Sequence, residues 1–134
     1  MKKITNILYW LAMLAIAFWF AYTKGWIFAS FKSIGAKEAL ILIEKDHNIS
    51  ILDVRSIAEY KEGHLRNATL IPLDRLKENL HKLESVKGKH ILVYCRSGNR
   101  SISASRLLQS NGFSPLNVKG GIIAFIQNKA TIIP

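Results

Sequence analysis

The chain has one cysteine, Cys95, in 134 residues. That excludes an intramolecular disulfide and any Cys-x-x-Cys redox or zinc pair, and it removes disulfides as a guide to compartment. Four histidines, at positions 47, 64, 81 and 90, fall at no metal-ligand spacing, so no metal and no cofactor is expected. Acidic residues are scarce: nine against nineteen Lys and Arg, for a net charge of +10. The basic residues are scattered singly and are not interleaved with exposed aromatics, which speaks against a nucleic-acid partner. A field that attracts small anions or anionic lipid is the expected use of the charge. With 49% hydrophobic and 21% charged residues, a disordered, collagen-like or low-complexity chain is also excluded.

Charge is missing altogether from residues 4–23, a run of 20 residues that includes Leu8, Trp10, Leu14, Phe18, Trp19 and Tyr22. As a helix it spans about 30 Å, the thickness of a bilayer core. Trp19, Tyr22 and Trp26 cluster at its C-terminal end, where amphipathic rings favour the interface. The alternative is a cleaved signal peptide after the basic start at Lys2 and Lys3. Against it, no small-x-small pair follows the run at the proper place. The expected organisation is a basic tail at 1–3, a transmembrane helix at 4–23, a juxtamembrane linker at 24–33 and a soluble domain at 34–134. This describes a single-pass protein of the inner membrane touching lipid through residues 4–23. Lys2 and Lys3 oppose Lys24, Lys32 and Lys37, so the positive-inside rule is nearly balanced. The proximity of Lys2 and Lys3 to the run tilts it toward an external, periplasmic domain.

Residues 32–134 carry sixteen basic and all nine acidic residues and are enough to bury a core. Helices are expected at 35–45, capped by Ser33; at 56–61, stopped by Gly63; at 74–83, capped by Asp74 with Leu76, Leu80 and Leu83 on one stripe; at 101–110; and at 122–127. Strands are expected at 49–54, 68–71, 91–94 and 116–118. The run Ile91-Leu92-Val93-Tyr94 is apolar throughout, as suits a strand covered on both faces. Alternation of strands and helices implies an α/β fold: a small parallel sheet with helices on both faces, preceded by one transmembrane helix.

The stretch after that strand, Cys95-Arg96-Ser97-Gly98-Asn99-Arg100, has no further apolar residue and is poor core material. Ligands of an open α/β sheet bind beyond the carboxyl ends of its strands, and Cys95 lies at such an end. The helix that follows directs unpaired amides and its positive end toward the loop. Arg96 and Arg100 add charge, and Gly98 lets the backbone curl. A thiol in that field is expected to ionise more readily than a free one, and the thiolate is the nucleophile. The bland alternative is a small buried hydrophobe at a strand end. Four residues separate Cys95 from Arg100, whereas cysteine phosphatases space the pair by five; position 101 is Ser. The shorter ring suits a persulfide or thiosulfate sulfur rather than a phosphate.

These residues, in this order, resemble the rhodanese-like family of single-domain type. The resemblance rests on Leu52-Asp53-Val54-Arg55, Glu59-Tyr60, Gly63-His64-Leu65 with Ala68, Ile71-Pro72, the loop from Tyr94 to Ser101, and Gly120-Gly121-Ile122. It implies a sulfurtransferase in which Cys95 takes a sulfane sulfur from a donor such as thiosulfate, forms a persulfide, and passes the sulfur to a thiol or cyanide. It places substrate binding on Arg96, Ser97, Gly98, Asn99, Arg100 and Ser101, and a supporting polar network on Asp53 and Arg55. For Asp53 and Arg55 a structural ion pair is expected, for His64 a turn-stabilising hydrogen bond rather than a general base, and for Glu59 and Tyr60 surface or packing positions. Phe125 stands where the family commonly has Trp, and Asn67 where Gly is frequent. Without a second cysteine, a persulfide on Cys95 needs an external acceptor. The competing readings are a non-catalytic sulfur carrier or membrane-docked interaction module and, disfavoured by loop length, phosphatase or arsenate-reductase chemistry.

Overall fold

The computed structural model describes residues 1–24 and 31–134. Trp26 and most of the linker expected at 24–33 lie outside the described residues.

Helix α1, Lys2–Thr23, buries none of its residues. Its large side chains, such as Trp10 and Trp19, are about two-thirds exposed. It is one helix long and apolar enough to cross a membrane. The other described residues leave most of this apolar surface exposed.

The remainder is a parallel five-stranded sheet with a small antiparallel ribbon. The strands are β1 (Lys32–Ile34), β2 (Ser50–Asp53), β4 (Ala68–Leu70), β5 (His90–Tyr94) and β6 (Ser114–Val118). Their order is β1-β6-β5-β2-β4, and every pairing is parallel. Two-residue strands β3 (His64–Leu65) and β7 (Ile132–Ile133) form the ribbon. The helices are α2 (Ala36–Lys45), α3 (Ile57–Glu62), α4 (Leu73–Leu76), α5 (Asn99–Ser110) and α6 (Gly121–Gln127).

Alternation along the central strand divides the core in two. Leu92 and Tyr94 pack with Ala36 and Ala39 of α2 and Ile122 and Phe125 of α6. Ile91, Val93 and Cys95 pack on the other face with Leu76, Leu83, and Ala104 and Leu108 of α5. Helices therefore cover both faces, and successive side chains of β5 serve opposite layers.

The expected elements shift in places. Residues 32–34 form an edge strand on β6 rather than linker, and Gly35, not Ser33, precedes the helix. The helix expected at 74–83 is one α turn after Pro72 followed by a 3-10 segment, Lys77–Val86, interrupted at Asn79 (φ −115°, ψ 15°). The Asn79 amide donates to the Arg75 carbonyl at 2.7 Å, a local bond that competes with the helical pattern. The Leu76 and Leu83 stripe is still buried. Helix α5 starts at Asn99, two residues earlier than expected.

Candidate active site

Central position explains where Cys95 sits. β5 is flanked by β6 and β2, and Cys95 follows its last residue, 1% exposed. The chain then turns through Gly98, which has φ +104° and caps α5. The Gly98 N–H donates to Cys95 Sγ at 3.1 Å. The thiol lies 3.5 Å from Ser101 Oγ, which itself donates to the Gly98 carbonyl at 3.2 Å. The sulfur thus rests at the N-terminal end of a twelve-residue helix, where the backbone partial charge is positive. Among the described residues, Gly98 supplies the one amide that donates to the sulfur, fewer than the ring of donors expected from the sequence.

The loop is held from behind by the start of α6. Ile122 N–H donates to the Cys95 carbonyl at 2.8 Å, and Ile123 N–H to the Arg96 carbonyl at 3.2 Å. Phe125, in the position where Trp is common, is fully buried and meets Tyr94 edge-on at 5.5 Å. Burial pushes the Tyr94 hydroxyl up, and Asp53 adds to the shift. That hydroxyl accepts the Leu65 N–H at 3.2 Å.

Asp53 and Arg55 form a buried fork at the end of β2. Arg55 Nη2 donates to Asp53 Oδ2 at 2.7 Å, with Nε at 3.0 Å from Oδ1. The same Nη2 donates to the Gly63 carbonyl at 2.7 Å, and the guanidinium lies 5.6 Å from the Tyr94 ring centre. Burial works against the Arg55 charge, and the bond and charge of Asp53 raise its pKa in spite of it. The pair joins β2, the end of α3 and the residue before Cys95. His64 Nδ1 lies 2.9 Å from the Tyr60 carbonyl, and its ring stacks on Tyr60 at 3.6 Å. Asn67 has φ +66°, a left-handed conformation that asparagine tolerates better than most side chains.

The remaining loop residues diverge. Arg96, Ser97 and Asn99 are exposed. Arg96 makes no ion pair among the described residues and lines a cleft of about 360 Å³ together with Arg55, Glu59, Ile122 and Ile126. Asn99 Oδ1 accepts from Lys24 Nζ at 3.0 Å. Arg100 does not leave its guanidinium free for an anion: it donates through both terminal nitrogens to Glu59, at 2.7 and 2.8 Å. Among the described residues no cluster of His, Cys, Asp and Glu could hold a metal ion.

Glu59 is the residue that sequence reasoning undervalued. Its carboxylate closes a capping box with Ser56 at the start of α3 and grips Arg100 from 41 positions away. The Ser56-x-x-Glu59 spacing signals the cap; nothing local signals the partner. The Arg100 fork, aided by Ser56 against the cost of burial, holds the Glu59 carboxyl down to about 2. A depressed carboxylate stabilises the fold fully above its unfolded pKa, near 4.5, and loses that contribution as pH falls toward 2. Both side chains are partly exposed, 26% for Glu59 and 37% for Arg100, so the contribution is on the order of 1 kcal/mol. The stability difference between wild type and Glu59→Gln, measured by denaturant titration, is expected to hold steady above pH 5 and vanish near pH 2. A difference independent of pH would refute the assignment.

A rhodanese-like domain model matches residues 36–128. The chain belongs to the rhodanese-like family. Among solved structures, a rhodanese-like domain protein from Staphylococcus aureus is 33% identical, with TM-score 0.66, covering 71% of this chain and 91% of its own. A rhodanese-related protein from Thermoplasma volcanium is 31% identical, with TM-score 0.70, covering 77% and 98%. Among curated proteins, the tRNA uridine(34) hydroxylase of Escherichia coli (strain K12 / DH10B) is 36% identical over 85 residues, 60% of this chain and 24% of that protein. The chain thus spans about a quarter of the length of the curated relatives it matches. Membership in the rhodanese-like family suggests sulfurtransferase-type activity.

Proposed function

We propose that the protein is a membrane-anchored sulfurtransferase with Cys95 as nucleophile and sulfur carrier. The observation that carries this reading is the Cys95 sulfur taking an amide hydrogen bond at the positive end of α5. The thiolate attacks the sulfane sulfur of a donor such as thiosulfate. A new S–S bond forms at Cys95, the sulfane sulfur–sulfonate bond breaks, and sulfite leaves with the bonding pair. The persulfide that remains carries one negative charge, which the Gly98 amide and the α5 terminus stabilise. Cyanide or a thiolate then attacks the outer sulfur, and Cys95 departs as thiolate, giving thiocyanate or a new persulfide. Electrons balance at both steps, and no oxidant is consumed. Arg96, exposed beside the loop, draws the donor anion in, Ser97 and Asn99 frame its approach, and Ser101 positions the sulfur. Arg100 acts at longer range, braced by Glu59.

Anchoring rests on α1, and the lean toward an external domain on Lys2 and Lys3. Protease added to intact spheroplasts is expected to digest the domain, and the mature protein to keep its N-terminal methionine. The hydroxylase activity named for the Escherichia coli relatives belongs to proteins of which the matched segment is a quarter; sulfur transfer is read from this chain's own cysteine loop.

The test is intact-mass analysis after thiosulfate treatment, followed by thiocyanate assay. A gain of one sulfur mass on Cys95 and turnover with cyanide are expected. Loading without turnover would make the protein a carrier, and no loading would end the reading. p-Nitrophenyl phosphate is expected to remain intact, given the four-residue spacing of Cys95 and Arg100.

His64 supports structure rather than chemistry. Its stack and its bond to the Tyr60 carbonyl stabilise the turn into β3. His64→Ala is expected to cost about 1–2 kcal/mol and leave kcat for thiocyanate formation unchanged. A tenfold lower kcat at unaltered stability would make His64 part of the chemistry instead.

A further inference from the structure

A second cleft, of about 620 Å³, lies beside the cysteine loop on its β1–β6 flank. It is lined by Lys24 at the end of α1, by Ser33 of the edge strand β1 and Asn117 of its neighbour β6, by Lys119, and by Ser97 and Asn99 at the start of α5. Two ammonium groups line it, and no carboxylate does among the described residues. Lys24 uses one donor on Asn99 Oδ1, which leaves two; Lys119 is exposed and makes no ion pair among the described residues.

Asn117 gives an independent indication. It is 2% exposed. Its amide nitrogen donates to Ser33 Oγ at 3.1 Å, while its Oδ1 has no hydrogen-bond partner. A buried acceptor left unpaired costs about 1–3 kcal/mol, so a donor at this point is rewarded. An ionised phosphate has acceptors only and suits the lysines; a hydroxyl suits Asn117. The cleft therefore asks for an anionic phosphate with a hydroxyl attached.

Position narrows the source. Lys24 immediately follows Thr23, the last residue of α1, so the cleft opens where a spanning helix leaves the hydrocarbon and meets headgroups. Anionic headgroups attract lysines at that depth. We propose that this cleft binds the headgroup of an anionic phospholipid, its phosphodiester between Lys24 and Lys119 and its glycerol hydroxyl toward Asn117. The site rests on the membrane-anchor reading above. A bound headgroup would fix the Ser97 to Asn99 segment, and with it the cysteine loop, against the bilayer surface.

The test uses the full-length protein in nanodiscs of phosphatidylcholine, alone or with phosphatidylglycerol, and follows thermal unfolding by circular dichroism. Phosphatidylglycerol is expected to raise the wild-type midpoint by about 3 °C. Lys119→Glu is expected to abolish that rise and Lys119→Arg to restore it. Lys89→Glu, which changes net charge equally near the opposite end of the strands, is expected to keep it. An equal rise in Lys119→Glu, or no rise in wild type, would overturn the site. So would millimolar inorganic phosphate reproducing the rise in phosphatidylcholine discs, which would mark a site for the free anion. Flotation with neutral phosphatidylcholine vesicles reads the anchor separately. A chain that floats but shows no headgroup preference loses the site alone, whereas a chain that does not float loses the anchor and the site together.

Discussion

Cys95→Ser is expected to lower kcat/KM for thiocyanate formation by about 10³-fold or more while leaving the fold in place. The effect is large because the cysteine acts twice, as attacking group and as the atom on which the sulfur travels. A serine hydroxyl is a poor nucleophile toward sulfane sulfur at neutral pH, and an O–S adduct would not sustain the second attack. The structural cost is small. Oxygen can accept the Gly98 N–H that sulfur accepts at 3.1 Å, and it can meet the Ser101 hydroxyl, now 3.5 Å from the sulfur. The unfolding free energy is therefore expected to change by about 1 kcal/mol or less. Kinetics with thiosulfate and cyanide, beside a thermal melt, would read both quantities. Full activity in the serine variant would remove Cys95 from the mechanism, and a collapsed melt would make Cys95→Ala the variant to judge.

How much of this was legible in the sequence depends on the range over which each feature is determined. β5 was readable because burial on both faces makes His90–Tyr94 apolar almost throughout, and that pattern is local. β1 was not. Lys32–Ile34 has only three residues, and its strand character comes from pairing with residues 116–118, remote in the chain. The two-residue strands β3 and β7 are hidden for the same reason. In the 3-10 segment, the leucine stripe was visible and its burial followed, but one Asn79 side-chain bond set the backbone geometry.

The candidate site divides in the same way. The cysteine loop is contiguous, so its polar composition, its glycine and the helix after it could be read together. Arg100 could not be placed from composition, since charge alone does not say whether a guanidinium faces a substrate or a carboxylate. Glu59 decides it, and the distance of 41 positions puts that decision in the tertiary fold. The Gly120-Gly121 pair was legible as part of the family resemblance, but its contact with the cysteine loop was not.

That contact gives the second large effect. Gly121→Ala is expected to destabilise the protein by about 3 kcal/mol or more and to abolish sulfur loading along with it. Gly121 has φ +55°, a left-handed conformation that costs an L residue roughly 1 kcal/mol. The steric term is heavier. A Cβ there would lie 2.2 Å from the Cys95 carbonyl oxygen and 2.5 Å from that of Arg96. Both are backbone atoms, and they are the acceptors for Ile122 and Ile123 N–H. Relief would require α6 to lift off the loop, breaking two hydrogen bonds worth about 1 kcal/mol each and opening the seat of Phe125 against Tyr94. Gly112 supplies the control. Its φ is +85°, but an added Cβ would meet only the flexible end of Lys87, at 3.2 Å, so Gly112→Ala should cost about 1 kcal/mol and leave sulfur loading intact. Denaturant titrations of the two alanine variants, with intact-mass analysis after thiosulfate, would separate the effects. If both variants lost the same stability, the close approach of Gly121 to the cysteine loop would not be what holds that loop in shape.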